Sequence, residues 1–400
     1  MLVTLDSITT KITKGTTPTS VGCTFENSGV NFIKSESLGN SRNIDRSKFA
    51  FISEQTHEKL KRSQIEKNDI LFSMAGMFLG KTGIVTDDLV PANTNQAVAI
   101  IRIDTEKANH EYVYYYLNQR SVVQAVNASS AQSAQPNINL KQIGQIEIDL
   151  PERKLQDKIV SILSAIDFKI EKNNQINENL EQQARAVFQA WFIDYEPFGG
   201  VTPSAWHPST LGQIAELKTD SWSPAKNPDV MVEHYSIPAF DEQHYPVFEI
   251  AAGIKSNKYI LNSNSVMISK LNPDTKRIWR PLCLSAHSVC STEFIVYEAK
   301  KQEQRDYIYS ILDSTPFLNY LCSHTTGSTN SRQRATPKST LDFTLCLPPD
   351  SIIEDFCQIV TPMYDLIASN IVENQSLAKT RDSLLPRLMS GEIDVSTVQI

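Results

Sequence analysis

Residues 150–191 read LPERKLQDKIVSILSAIDFKIEKNNQINENLEQQARAVFQAW, and residues 347–388 read LPPDSIIEDFCQIVTPMYDLIASNIVENQSLAKTRDSLLPRL. Both stretches begin with Leu-Pro and carry large, mostly apolar residues at alternating steps of four and three. The first series is Ile159, Leu163, Ile166, Ile170, Asn173, Asn177, Leu180, Ala184, Val187 and Trp191, and the second is Phe356, Val360, Met363, Ile367, Asn370, Asn374, Leu377, Arg381, Leu384 and Leu388. Every member of the second series lies 197 positions after its counterpart, and the same two layers hold asparagine in both. This spacing is typical of a helix that packs against another helix along a narrow seam.

The spacing also predicts how the two helices pair. Antiparallel pairing brings together layers whose residue numbers add up to 547, so that Asn173 faces Asn374 and Asn177 faces Asn370. One segment of ordinary domain length connects the helices. An antiparallel second helix begins where the first ends, whereas a parallel one requires that segment to run back along the whole helix. We therefore predict an antiparallel coiled coil whose paired amides set the register. The alternative is that the asparagine layers face solvent or a partner.

The composition predicts a globular protein of two or three domains. The chain has 400 residues, 40% of them apolar, which is enough for large cores. No run of 18 apolar residues occurs and the N-terminus has no signal-peptide core, so we predict a cytoplasmic protein without membrane association. The six cysteines show no CxxC pair and no metal-binding spacing with histidine. Reduced thiols and no metal site are therefore expected.

The net charge of −7 is unevenly distributed. Residues 1–150 hold 15 basic and 15 acidic side chains, and residues 198–347 hold 14 of each. Residues 151–197 hold 6 basic and 8 acidic side chains, and residues 348–400 hold 3 and 8, so the acidic excess lies on the predicted helices. Neutral globular segments can still gather cations on one face and bind nucleic acid. The acidic helices are better suited to act as a spacer or to bind protein.

The globular segments before each helix also repeat each other, more faintly. Each opens with Thr-Leu-x-x-Ile and continues through two strand-like runs, a short aromatic helix and a polar loop to a closing strand. The closing strands are predicted at residues 143–150 and 341–347, and Pro362 and Pro386 predict a kink or a restart in the second helix. The predicted fold is α/β (α+β) with an internal two-fold repeat. Its parts are a first globular domain (1–149), a central spacer helix (150–197), a second globular domain (198–347) and a C-terminal spacer helix with a tail (348–400).

The helical stretches match a known family in detail. The first contains Asn173-Asn-Gln-Ile-Asn-Glu-Asn-Leu180, and the second contains Glu373-Asn-Gln-Ser-Leu377 and then Leu384-Leu-Pro-Arg-Leu-Met-Ser-Gly-Glu-Ile393. With two variable globular segments placed between such helices, the chain resembles the specificity subunit of type I restriction–modification systems.

The resemblance implies both a fold and a role. In that family each globular segment is a target-recognition domain that reads one half of a split double-stranded DNA sequence, and the antiparallel helices hold the two domains apart. Two modification subunits dock along the helices and bring S-adenosylmethionine, and restriction subunits bring ATP, Mg²⁺ and cleavage. The resemblance therefore implies a non-catalytic subunit that binds no cofactor of its own. The target sequence and its gap length cannot be read from the loop residues, because the family has no general code that relates loop sequence to DNA sequence.

Two short motifs suggest catalysis, but each has a simpler explanation. Residues 75–82 (AGMFLGKT) match a relaxed phosphate-loop pattern, yet a phosphate loop must open a helix, and the Gly-Ile-Val that follows Thr82 indicates a strand. A hairpin tip is therefore predicted. Pro273-Asp274 with Glu298 imitates a nuclease carboxylate motif that is short enough to arise by chance. No catalytic residue is predicted. The alternatives are a nuclease or NTPase fused to a coiled coil, and a structural adaptor without DNA specificity.

Basic residues in the loops are the candidates for DNA contact. The loop at residues 270–280 holds four of them and occupies the same place in the second half as residues 74–81 in the first. Arginine can bond guanine edges and lysine can pair with phosphates, so such a loop is suited to reading a groove. The alternative is a solvated charged hairpin. The predicted DNA-binding residues are Lys14, Lys81, Lys270, Lys276, Arg277, Arg280, Arg332 and Arg334.

Overall fold

The computed structural model describes residues 1–39, 42–130, 137–326 and 333–396. The chain forms two compact units. Two long helices run through both units, and each helix contributes roughly half of its length to each unit. The first unit comprises Met1–Glu171 and Gln375–Ile400, and the second comprises Lys172–Asn374. No helix in the described ranges is both long enough and apolar enough to cross a membrane.

The first unit contains two four-stranded sheets and one two-stranded sheet. Its strands are β1 (Leu2–Thr4), β2 (Thr9–Lys14), β3 (Val30–Ile33), β4 (Ala50–Ile52), β5 (Gln64–Ile65), β6 (Ile70–Ser73), β7 (Thr82–Ile84), β8 (Ala92–Thr94), β9 (Val98–Ile103) and β10 (Glu147–Asp149). Its helices are α1 (Glu54–Lys59), α2 (His110–Leu117), α3 (Arg120–Ser130), α4 (Leu140–Gly144) and the first part of α5 (Arg153–Phe192). The strand orders are β1-β10, β2-β9-β6-β7 and β4-β3-β8-β5, with β3 and β8 parallel.

The second unit is built on the same plan. Its strands are β11 (His207–Thr210), β12 (Ala215–Lys218), β13 (Ser221–Trp222), β14 (Met231–Tyr235), β15 (Val247–Ile250), β16 (Lys258–Ile260), β17 (Ser265–Ser269), β18 (Ile278–Trp279), β19 (Ser288–Ser291), β20 (Phe294–Ala299), β21 (Thr325–Thr326), β22 (Arg334–Ala335) and β23 (Thr344–Leu347). Its helices are α6 (Ile237–Gln243), α7 (Arg305–Asp313), α8 (Thr315–Ser323), α9 (Pro337–Thr340) and the first part of α10 (Asp350–Met389). The strand orders are β11-β23, β12-β20-β17-β18, β13-β16-β19-β14-β15 and β21-β22.

The two units repeat one topology. The sheet β2-β9-β6-β7 corresponds to β12-β20-β17-β18, and β4-β3-β8-β5 corresponds to β15-β14-β19-β16 with β13 added at the edge. The parallel pair β3 and β8 has its counterpart in the parallel pair β14 and β19. Each unit closes with a strand that pairs with its first strand, β10 with β1 and β23 with β11. The predicted internal repeat is therefore confirmed.

Each central strand separates two cores, which explains why these strands are continuous apolar runs. In β6, Ile70 and Phe72 pack into a core with Tyr112 of α2, whereas Leu71 packs into the core on the other face. In β17, Ile268 packs with Tyr307 of α7, and Met267 packs into the opposite core. Successive side chains of a strand point to opposite faces, so an uninterrupted apolar run fills both cores.

The long helices pair in the predicted antiparallel direction. In the first unit, Ile159 of α5 and Leu388 of α10 belong to the same core. In the second unit, the ring centroids of Phe188 and Phe356 lie 6.0 Å apart. Residue numbers thus rise along one helix while they fall along the other, which confirms the antiparallel pairing.

The predicted restart at the prolines of the second helix is wrong. α10 is one helix from Asp350 to Met389 and continues through Pro362 and Pro386. A proline in a helix interior removes one amide donor and costs about 3 kcal/mol. Val360 and Leu385, beside the two prolines, are buried and keep the helix in its apolar seam. Packing therefore outweighs the loss of the two donors.

The predicted closing strands begin too early. Residues 140–144 form α4, because Asn139 caps the helix and Gln142 completes a capping box with it. The strand β10 begins only at Glu147, and in the second unit β23 begins at Thr344 after the short helix α9. At residues 140–144 the capped helix therefore forms in place of the predicted strand.

The asparagine layers meet in the second unit. Asn370 Nδ2 donates to Asn177 Oδ1 at 2.8 Å, and both side chains are buried. Asn173 is fully buried and its Nδ2 donates to Asn374 Oδ1 at 2.8 Å and to Glu373 Oε2 at 2.7 Å. Both amide pairs obey the sum of 547. A buried amide needs a hydrogen-bonding partner in an apolar seam, so each pair favours this register.

Replacing one member of the Asn177–Asn370 pair should cost more stability than replacing both. Asn177→Leu or Asn370→Leu leaves the other amide buried without its partner, which costs about 1–3 kcal/mol. The double variant removes that unpaired amide, so its loss of unfolding free energy should fall short of the sum of the single losses by at least about 1 kcal/mol. Urea unfolding of the four proteins measures this coupling. Plain additivity would contradict the pairing.

Candidate nucleic-acid interface

In each unit a hairpin lies beside the polar loop that follows the short helices. β6 and β7 form the first hairpin, and β17 and β18 form the second. Ile138 N donates to Met74 O at 2.9 Å in the first unit, and Ala335 N donates to Lys270 O at 2.9 Å in the second. The same two loops are thus joined by the same backbone bond in both units. This pair of loops is the candidate interface.

The first hairpin confirms the prediction made for the phosphate-loop-like motif. Residues 75–82 connect two antiparallel strands and do not open a helix longer than one 3-10 turn. Gly76 and Gly80 have φ angles of 70° and 81°, which residues with a side chain rarely adopt. The glycine spacing therefore serves the turn, which accounts for the resemblance to a phosphate loop.

The two predicted cations of the first unit form no ion pair with any described residue. Lys81 lies at the end of the first hairpin with its Nζ 5.4 Å from the ring centroid of Phe78. Lys14 is the last residue of β2 and is exposed. Both ammonium groups can therefore contact a phosphate without breaking a charge pair.

Two predicted cations of the second hairpin bind carboxylates of their own unit. Lys276 pairs with the carboxylate of Asp313, and its Nζ also donates to Asp313 O at 2.8 Å. Arg277 forms a bidentate pair with Asp241 of α6, with distances of 2.6 Å and 2.9 Å. A DNA contact by either side chain must compete with these pairs, so their role as DNA ligands stays a prediction.

The geometry of Arg280 favours a structural role. Its side chain is 11% exposed, and it donates to Asp306 at 2.8 Å and to Asp365 of α10 at 2.6 Å. Burial raises the pKa of the Asp306 carboxyl, but the hydrogen bond from Arg305 and the charge of Arg280 outweigh burial and hold this pKa below its usual value. Arg280 therefore ties the end of the second hairpin to α7 and α10.

The remaining predicted residues lie in or beside the polar loop of the second unit. Lys270 is half-buried at the start of the hairpin turn, and its side chain makes no ion pair within the described ranges. Arg334 is 46% exposed and pairs with Glu293 at 3.0 Å. Arg332 lies outside the described residues. The structure thus brings Lys270 and Arg334 together, because the hairpin and the loop share a backbone bridge.

Comparison with known proteins shows similarity to one family. The model of the type I restriction modification DNA specificity domain matches residues 1–182. The chain is 26% identical over 325 residues to the MjaIX specificity subunit of Methanocaldococcus jannaschii, with 76% of this chain and 74% of the relative covered. It is 24% identical to the HindI specificity subunit of Haemophilus influenzae, over 83% of this chain and 88% of that one. The chain is thus similar to type I restriction–modification specificity subunits over most of its length.

The fold of this chain also resembles that of a solved structure. The crystal structure of the S subunit from M. genitalium covers 97% of this chain and 95% of its own, with a TM-score of 0.59 and 15% identity. Within the described ranges of this chain, no cluster of His, Cys, Asp and Glu could hold a metal ion.

One candidate cation of the first unit was not predicted from the sequence. Arg120 is exposed and opens α3, and it lines the same groove as Lys81. Amide side chains of Asn118, Gln119 and Gln124 line the groove as well. Lys81 and Arg120 are 39 positions apart, so no local pattern links them. Arg120 is thus a third phosphate-binding candidate in the first unit, beside Lys14 and Lys81.

Arg280→Gln should destabilise the protein far more than Lys81→Gln. Removing one partner of a buried ion pair costs about 3–5 kcal/mol. Asp306 is only 2% exposed but keeps Arg305 as a second partner, so Arg280→Gln should cost a part of that amount. Lys81 loses no ion pair, so its replacement should change the unfolding free energy by less than about 0.5 kcal/mol. Against the effect of burial, the hydrogen bond from Arg305 and the charge of Arg280 depress the pKa of Asp306 in the folded state. The stability contributed by these pairs is therefore present above the unfolded pKa of about 3.9 and lost as the pH falls through the lower, folded pKa. Denaturant unfolding at neutral and acidic pH checks both statements. Equal losses for the two variants would contradict the structural role of Arg280.

Proposed function

We propose that this chain is the DNA sequence-recognition subunit of a type I complex and that each unit reads one half of a bipartite site. One observation carries the proposal: the same topology occurs twice, with a hairpin and a loop joined by the same backbone bond but different in sequence and charge. Two copies of one scaffold with different loops are suited to two different half-sites. Residues 1–149 and 198–347 are proposed as the two target-recognition domains, and 150–197 and 348–400 as the spacer segments.

The cations of the loops support DNA as the ligand. Lys14, Lys81 and Arg120 in the first unit and Lys270 in the second form no ion pair with a described residue. Lysine and arginine in such positions neutralise phosphates and set the register on the duplex, while neighbouring polar side chains contact base edges. The nuclease or NTPase alternative is not supported, because its phosphate-loop motif is a hairpin turn.

The helices are proposed to space the two readers and to bind protein partners. α5 and α10 each have 40 residues, which corresponds to about 60 Å at about 1.5 Å per residue. Ile359 and Leu366 lie seven positions apart on one face of α10 and are 39% and 46% exposed. Exposed apolar residues at this spacing on an acidic helix suit a protein surface better than DNA.

The chemistry is proposed to lie on partner subunits. Two modification subunits would bring S-adenosylmethionine and methyl transfer, and restriction subunits would bring ATP, Mg²⁺, translocation and cleavage. This chain would then act in the cytoplasm as the subunit that selects the DNA site, and it would bind no cofactor itself.

Exchanging one unit should change one half of the methylated site. Replacing residues 1–149 by the equivalent segment of a relative should alter one half-site and leave the other intact, because each unit has its own loops and its own cores. The reciprocal exchange of residues 198–347 is the matched control and should alter the other half. Sequencing of the methylated positions reads both. If either exchange changes both halves together, the model of two independent readers is wrong.

Lengthening both helices should lengthen the gap between the half-sites. Four residues inserted between Gln175 and Ile176, and four between Ile371 and Val372, keep the pairing sum constant on each side and preserve the seam to within a fraction of a turn. The insertion adds about 6 Å at about 1.5 Å per residue, and DNA rises about 3.4 Å per base pair. The gap should therefore grow by one or two base pairs with both half-sites unchanged.

The single insertion after Gln175 is the control for this experiment. It breaks the pairing of Asn177 with Asn370 and should lower the melting temperature. A fully active double-insertion protein that methylates sites with the original gap would contradict the spacer role.

A further inference from the structure

One carboxylate in the second unit binds cations from two separate elements. Asp313 is the last residue of α7, and its side chain is 7% exposed. Lys276 of the second hairpin pairs with this carboxylate and donates to the main-chain oxygen at 2.8 Å. Arg185 of α5 donates from Nε to Asp313 Oδ2 at 2.7 Å. Asp313 thus lies between the hairpin and a long helix and holds both.

The first unit has a polar joint at the equivalent place. Asn118 follows the last residue of α2 as Asp313 ends α7, and each lies eight positions after the first residue of its helix. Asn118 Nδ2 donates to Thr82 Oγ1 of the first hairpin at 2.6 Å. Both units therefore bind the hairpin from the end of the short helix. The bond is neutral in the first unit and charged in the second.

The second hairpin needs such an anchor. Its strand β18 has only two residues, Ile278 and Trp279, and a hairpin this short has little stability of its own. Reading a base edge requires the reading group to be held within about 0.5 Å of its productive position. Trp279 and Arg280 secure the end of the hairpin. Within the turn, Arg277 binds Asp241 of α6, and Lys276 binds Asp313, which connects the turn to α7 and α5.

We propose that Asp313 is a positioning residue for recognition of the second half-site. It holds the hairpin turn against α7 and α5 through Lys276 and Arg185, and so sets where the turn meets the DNA groove. This inference rests on the proposed function of the second unit as a reader. It assigns Lys276 to the joint and leaves Lys270 in the turn for DNA.

Asp313→Asn tests the joint with a residue that the first unit already uses. The variant keeps the shape of the side chain and removes the charge that binds Lys276 and Arg185. In the complex with its modification subunits, the ratio of kcat/KM for the correct site to kcat/KM for a site with one changed base should fall at least tenfold when the change is in the second half-site. The same ratio for the first half-site should stay within twofold, and this provides an internal control.

Three further variants sharpen the test. Arg185→Gln, which removes only the helix side of the joint, should give the same selective loss, and Asp313→Glu, which keeps the charge, should retain most of the discrimination. Asp229→Asn removes one exposed carboxylate of the second unit that makes no ion pair in the described ranges, and it should change neither ratio. Unchanged discrimination in Asp313→Asn, or an equal loss at both half-sites, would overturn the proposal.

A hairpin exchange separates this inference from the proposed function. Residues 270–277 are replaced by the equivalent turn of a relative in the same complex. If the exchange alters the second half-site but Asp313→Asn does not, the second unit is a reader and the role of Asp313 is wrong. If neither change affects any half-site, the assignment of the second unit as a reader fails, and the inference fails with it.

Discussion

The hydrogen bond between the buried amides of Asn177 and Asn370 is the constraint on which the helix pair depends. An apolar seam alone tolerates a slip of one heptad, because leucine can replace methionine in a layer at little cost. Such a slip would place Asn177 opposite Met363 or Leu377 and leave its amide unpaired. A shifted register with this amide buried and unpaired is therefore less stable than the observed register by about 1–3 kcal/mol. Because α5 and α10 run through both units, this register decides which helix residues meet in each of them.

The contacts of the long helices α5 and α10 with the short helices α2 and α7 depend on that register. In the first unit, Arg381 of α10 donates to Asp167 of α5 at 2.7 Å, and Tyr115 of α2 donates to the same carboxylate at 2.6 Å. In the second unit, Arg185 binds Asp313 at the end of α7. Each unit thus ties its short helix to the long helices by a charged bond, and each short helix binds the hairpin. The loops differ between the units, whereas the short and long helices that support them are arranged alike in both.

Much of the fold could be predicted because the same sequence patterns occur in both halves of the chain. The heptad and its two asparagine layers occur in both helices, and the strand runs of β6 and β17 fill cores on both faces. The cap at Asn139 and the unbroken helix at Pro362 were not predictable, since each is a competition between local and tertiary terms of similar size. The ion pairs of Arg280 could not be predicted because its partners Asp306 and Asp365 lie 26 and 85 positions away. A basic loop looks the same in sequence whether its cations bind DNA or their own carboxylates.

The central claim is that two copies of one scaffold read two separate half-sites. Sequencing of methylated positions in cells that carry this chain with its modification partner tests the claim most directly. The account predicts a bipartite motif, with two specified parts separated by a gap of fixed length in which every base is tolerated. A single uninterrupted motif, or methylation with no sequence preference in one of the two parts, would contradict it.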